Sequence, residues 1–234
     1  MHGNGALTVV RSSLAEQLAT LRGEPVGSLP APLLDVTVRR VTLPGDDVFL
    51  VHPSDWEGLR EEEAAVGRPT PFWARPWPSG LALARELAEH PPVAGTKVLE
   101  LGCGLGAPSI VAARAGAIVL ATDGAADAVV FAAHSLALNE VEAEVAHADW
   151  AEHGDALVER GPFDLVLGAD VLYTPANAET LVRLLPRLLA PWGEARLADP
   201  GRANARVFLA AARASFAVRK AEDGKVTLYR LIPR

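Results

Sequence analysis

Cysteine and methionine are nearly missing from this chain, which carries one of each in 234 residues. A lone thiol forms neither an internal disulfide nor a cysteine-built metal cluster, which suits a reducing, cytoplasmic setting. Basic residues are in deficit: 22 Lys and Arg stand against 29 Asp and Glu, a net charge of −7. That balance argues against a nucleic-acid backbone as the main partner and makes a basic protein or peptide easier to recruit. Half the residues are apolar, yet no uninterrupted run is long enough to span a bilayer, so no membrane partner is expected. The N-terminus lacks the basic, apolar, small-residue order of a signal peptide. The six histidines are scattered. His147 and His153, though near Asp149, have no partners at ligand spacing, so no metal site is expected. No Gly-x-Ser-x-Gly elbow marks a serine nucleophile. The length fits one α/β domain with a substantial core.

What the chain does have is VLELGCGLGA, Val98 to Ala107. It reads as a buried strand (Val98, Leu99) ending in Glu100, then glycines at 102, 104 and 106, then a helix begun by the apolar run Ile110 to Ala113. Strand, glycine-rich turn and helix make the nucleotide-accepting corner of a doubly wound sheet. Gly102, Gly104 and Ala107 satisfy the GxGxxG/A dinucleotide pattern, a weak signal alone. Against a pyrophosphate stands Glu100, whose carboxylate favours a ligand carrying ammonium and sulfonium groups. Asp123 closes the next apolar strand (Ile118 to Ala121) at the distance where a carboxylate takes ribose hydroxyls, which suits NAD and S-adenosylmethionine equally. Cys103 reads as a small buried side chain in a crowded turn, with a redox thiol as the alternative.

Further segments follow in order: PFWARPWPSGLALARELAEH (Pro71 to His90), ATD (Ala121 to Asp123), ADW (Ala148 to Trp150) and FDLVLGADVLY (Phe163 to Tyr173). With these motifs the chain resembles, from Pro71 to Arg202, the class I, seven-β-strand S-adenosylmethionine-dependent methyltransferases. Among them it is similar to the protein-lysine methyltransferase group with an Asp-x-x-Tyr motif after the fourth strand. The resemblance implies a Rossmann-like α/β fold with a mixed seven-stranded sheet, S-adenosylmethionine as cofactor, and residues 1–70 as an extension packing on a core of residues 71–234. It also implies that Trp77 lies near the methionine end of the cofactor, with Phe72 and Trp73 beside the substrate. Glu100, Gly102, Gly104, Asp123 and Ala169 line the cofactor site in that reading. Asp149 accepts from the adenine amine and Trp150 packs on the ring face.

Around these motifs the spacing predicts a short helix over Leu14 to Leu21 and a hairpin of Leu34 to Leu43 with Val48 to Val51. The run Glu61 to Glu63 reads as a solvated helix start or as an attractor of a cationic substrate. Ser79 suits the cap of a helix over Gly80 to Glu89, and Pro175 reads as the stop after Tyr173. A final antiparallel pair, Phe216 to Lys220 with Lys225 to Leu231, is the methyltransferase ending, not that of two mononucleotide-binding halves.

The Asp-x-x-Tyr resemblance assigns Asp170 to capturing the substrate amine and Tyr173 to bonding or packing against it. A lysine acceptor has a reference pKa of about 10.4 and must lose a proton first, which a lone carboxylate hinders. Burial under an aromatic lip (Trp73, Trp77, Tyr173) and the cofactor's positive charge favour the neutral amine. Two other functions stay open at this point: a methyltransferase for a small-molecule amine or other metabolite, and an NAD-binding oxidoreductase or non-catalytic nucleotide-binding module.

Overall fold

The computed structural model describes residues 3–234. Its sheet is built from strands β3 (Lys97–Leu101), β4 (Ile118–Asp123), β5 (Glu144–His147), β6 (Phe163–Ala169), β7 (Leu189–Asp199), β8 (Phe216–Asp223) and β9 (Val226–Pro233). Their order is β5-β4-β3-β6-β7-β9-β8. The first five run parallel, and β9 is antiparallel to both β7 and β8. The central strands are apolar on both faces because helices cover both. The chain reverses its direction of winding between β3 and β6, and open α/β sheets bind ligands outside the strand ends at that point.

Helices α4 (Pro78–Glu89), α5 (Ala107–Arg114) and α6 (Ala126–Leu138) close one face, and their apolar sides merge with those of α1 (Gly3–Arg22) and the strand pair β1 (Val36–Val41) and β2 (Val48–Pro53). α7 (Trp150–Arg160), α8 (Pro175–Leu188) and α9 (Ala203–Ala212) close the other, around Phe163, Phe208 and Leu185. The two-stranded pair is antiparallel and docks on α6 by polar contacts. Ser135 Oγ accepts from Val51 N at 3.0 Å, and Asn139 exchanges two hydrogen bonds with the backbone of Phe49.

Three local readings are corrected here. Ser79 does not cap α4: Trp77 is the capping position, Pro78 opens the first turn, and Ser79 is buried inside it. A proline at the first helical position costs nothing, because that N–H has no helical partner. Pro175 likewise opens α8 instead of stopping the chain, with Thr174 Oγ1 accepting from Asn177 N at 3.0 Å. The Glu61 to Glu63 run lies late in α3 (Trp56–Ala65), and Glu63 is buried rather than solvated. It is held by Arg22 at 3.0 Å and Arg68 at 3.7 Å.

Candidate functional site

A cleft of about 1010 Å³ opens over the C-terminal ends of β3, β4 and β6. Its floor is the glycine loop. Gly102, Gly104 and Gly106 have φ of 67°, 52° and 84°, a left-handed region that L side chains avoid. At Gly102 a Cβ would also lie 3.2 Å from Val171 and 3.4 Å from the Trp150 ring, so the turn needs glycine twice over.

Three of the loop's N–H groups are engaged within the chain. Cys103 N donates to Thr122 O at 2.9 Å, Gly104 N to Asp123 Oδ2 at 2.8 Å, and Gly106 N to Cys103 O at 2.8 Å. Ser109 N, at the start of α5, donates to Glu100 Oε2 at 3.0 Å, and Ser109 Oγ donates to the same oxygen. A pyrophosphate cradle works by presenting free N–H groups. Here Asp123 takes the Gly104 N–H and Glu100 the Ser109 N–H, and both carboxylates line the cleft.

Glu100 is almost fully buried, and its Oε1 has no partner among the described residues. Burial, opposed by the Ser109 hydrogen bonds and reinforced by Asp123, pushes its carboxyl up to about 8. Burial also raises Asp123, against the pull of the Ala125 and Gly104 N–H groups. The Cys103 thiol is raised well above its usual value by burial and by the charges of Asp123 and Glu100, which makes it a poor thiolate. That agrees with the small buried side chain read from the sequence.

Trp150 packs over Gly102, and its Nε1 is buried without a partner among the described residues. Asp149 is exposed and caps α7, its Oδ1 accepting from Ala151 N at 2.8 Å. Asp149, Trp150, Ala169, Asp170 and Tyr173 all line the cleft with Glu100, Asp123, Gly102 and Gly104.

The aromatic segment divides. Phe72 and Tyr173 are about half exposed, at 50% and 49%, with ring centroids 6.0 Å apart across the mouth. Trp77 lies beside Phe72 and donates Nε1–H to its carbonyl at 2.5 Å. Trp73 also lines the cleft: its ring packs on Phe131 at 4.8 Å, and its backbone approaches Gly104. Contact between the partly buried indole and a fully buried phenylalanine adds apolar burial at that wall.

The reading from sequence missed the basic partners. Arg202 grips Asp170 with both arms of its fork, Nε to Oδ1 at 2.5 Å and Nη2 to Oδ2 at 3.0 Å. Arg75 lies over Trp77 at 4.8 Å and Trp56 at 5.1 Å, a cation–π pair that stiffens the lip. Arg22 bridges Glu63 and Asp127 at the other end of the cleft. The signal available for Arg202 was topological: β7 pairs with β6, so the loop after Asp199 must lie beside Asp170.

Parallel sheet, reversed strand order, antiparallel ending and acid-bearing glycine loop define a Rossmann-like class I methyltransferase architecture. Residues 75–206, more than half of the chain, match the lysine methyltransferase family, and the chain belongs to that family. It is 38% identical over 141 residues to the electron transfer flavoprotein beta subunit lysine methyltransferase of Danio rerio, a match covering 58% of this chain and 52% of that protein. The Xenopus laevis protein of the same name is 37% identical over 137 residues, covering 57% and 54%. The chain thus spans about half the length of the curated relatives it matches. Among solved structures, the T. thermophilus 16S rRNA N2 G1207 methyltransferase in complex with AdoMet and guanosine superposes with a TM-score of 0.68. That match covers 90% of this chain and 53% of the other at 21% identity, a likeness of fold.

Proposed function

We propose that this protein is an S-adenosylmethionine-dependent methyltransferase that N-methylates a lysine side chain of a protein substrate. The observation that carries the reading is the acid-bearing glycine loop: Asp123 accepts from Gly104 N and Glu100 from Ser109 N where α5 begins, so acceptors already occupy donors that an anion cradle would present. The residues fit a cationic nucleoside ligand. Glu100 Oε1 and Trp150 Nε1 are buried polar atoms without partners among the described residues, and the volume suits a ligand of that size. The same geometry disfavours NAD, whose pyrophosphate would find the Gly104 and Ser109 N–H groups already taken.

S-adenosylmethionine, when bound, supplies a methyl group activated by its sulfonium. Glu100 and Asp123 would hold it, Trp150 and Asp149 would bound its base, and Trp77 would bound its methionyl end. The protein's task is then orientation and exclusion of water, which accounts for much of the acceleration in such reactions. Phe72 and Tyr173 supply an apolar mouth around a side chain entering from solvent. Asp170 accepts a hydrogen bond from the acceptor amine, and the displaced proton leaves to water.

Labelled S-adenosylmethionine and purified electron transfer flavoprotein test the reading, with peptide mapping of the β-subunit. Label on a lysine is the expected result. Label confined to small solutes of a cell lysate would move the assignment to a small-amine methyltransferase. Tight binding of NAD without binding of S-adenosylhomocysteine would overturn it.

A further inference from the structure

We propose that Arg202 is a positioning residue for the acceptor amine: it holds and neutralises Asp170, so the amine meets a charge-balanced pair instead of a lone carboxylate. The inference rests on the preceding reading of the cleft as an amine methyltransferase site. Both oxygens of Asp170 are taken by one guanidinium, at 2.5 and 3.0 Å, while its side chain is only 14% exposed. A carboxylate has about four lone-pair sites, so the fork leaves acceptor capacity for an amine N–H.

The arrangement is built on both sides. Asp170 has φ 58°, a left-handed conformation costly for a residue with a Cβ, and its N–H is pinned to Ala198 O at 2.8 Å. On the other side, buried Asp199 accepts from Gly201 N and Arg202 N, both at 2.7 Å, and fixes the loop that carries the guanidinium. Strain at one partner and a dedicated buried anchor at the other are more than a surface ion pair requires.

The chemistry gives the pair a purpose. A lone carboxylate beside an amine favours ammonium, the form that cannot attack, by about one to three pH units. Pairing it with a fixed cation removes most of that preference and keeps the directional acceptor. The groups facing Asp170 are Arg202 and Asp199 from the loop after β7, Tyr173 from the loop after β6, and Glu100 deeper in the same cleft. Burial and the charge of Asp170 raise the Asp199 carboxyl against the pull of its backbone N–H partners and Arg202, and the side-chain hydrogen bonds of Arg202 go to Asp170.

The experiment uses n-butylammonium as probe, titrated calorimetrically at pH 7 into the S-adenosylhomocysteine complexes of wild type and Arg202→Gln, with n-butanol as the uncharged control. Arg202→Gln should bind n-butylammonium about tenfold more tightly than wild type, with n-butanol unchanged. Its methylation rate should rise with pH about one unit or more later. Equal or weaker ammonium binding by Arg202→Gln overturns the proposal. Arg202→Lys keeps the charge but not the fork and should gain less than about threefold; a tenfold gain there also overturns it, and this variant decides if Arg202→Gln does not fold. A wild type that fails to bind S-adenosylhomocysteine refutes the methyltransferase reading itself, a different failure from loss of the Arg202 effect.

Discussion

Replacing Glu100 by glutamine should stabilise the ligand-free protein at alkaline pH, although it removes a buried group from the centre of the site. The folded state keeps the Glu100 proton to about 8, whereas its ordinary value is 4.5. An unfolded chain releases that proton as pH rises through 4.5, and the folded one holds it. The stability linked to this group is therefore full below 4.5 and lost as pH rises through about 8. The rise in pKa corresponds to about 5 kcal/mol over the whole window. Between pH 5.5 and pH 8 alone the loss is about 3 kcal/mol.

Glutamine has nearly the same shape and no proton to release, so its variant lacks this slope. Its amide oxygen accepts from Ser109 as the carboxyl does. Urea unfolding of both proteins at pH 5.5 and 8.0, without ligand, isolates the effect. Other titrating groups, such as Glu194 held low by Arg230 and Arg196 against its burial, cancel in the difference. The advantage of Glu100→Gln should grow by about 3 kcal/mol between the two conditions. Parallel behaviour within about 0.5 kcal/mol would mean that Glu100 is ionised in the free fold, and the reasoning fails. A sulfonium ligand beside the carboxyl favours its charged form. Binding of S-adenosylmethionine at pH 7 should therefore release a proton from wild type and none from Glu100→Gln, read by calorimetry in two buffers of different ionisation enthalpy.

Trp73→Ala should cost about 3 kcal/mol in urea unfolding because it strips the contact with Phe131. Phe72→Ala should leave stability within about 0.5 kcal/mol and raise KM for the acceptor, since that ring stands at the mouth. Arg22→Ala should cost about 3 kcal/mol, because Glu63 would stay buried with its nearer cation gone; salt-dependent unfolding checks this. Asp123→Asn keeps one oxygen where two accept, from Gly104 N and Ala125 N at 2.8 Å each. It should weaken S-adenosylhomocysteine binding about tenfold or more by calorimetry.

What the sequence made legible is what neighbours in the chain decide. Strand, glycine turn and helix between Lys97 and Arg114 are local, and so are the final hairpin and the packing pattern of α6. Ser79 and Pro175 were misread because a proline admits two local roles, helix opener and helix stop, and tertiary packing selects one. Glu63, Trp73 and Arg202 lay beyond local reading for another reason. Their partners Arg22, Phe131 and Asp170 are dozens of residues away, and no periodicity encodes which acid meets which base.

The choice between pyrophosphate and cation turns on that same distinction. GxGxxG/A describes only the backbone's freedom to turn, and both ligand classes need it. Function is set by which acceptors reach the loop's N–H groups once it has turned. Glu100 reaches an N–H just past the loop, that of Ser109, from two residues before the first glycine, a distance the sequence displays. Asp123 reaches the Gly104 N–H from the neighbouring strand, a contact that exists only because β4 pairs with β3 in the observed register. The first carboxylate raises the cationic reading from the sequence alone. The second takes the donor at Gly104, which adds to that reading, and it needed the folded sheet to do so.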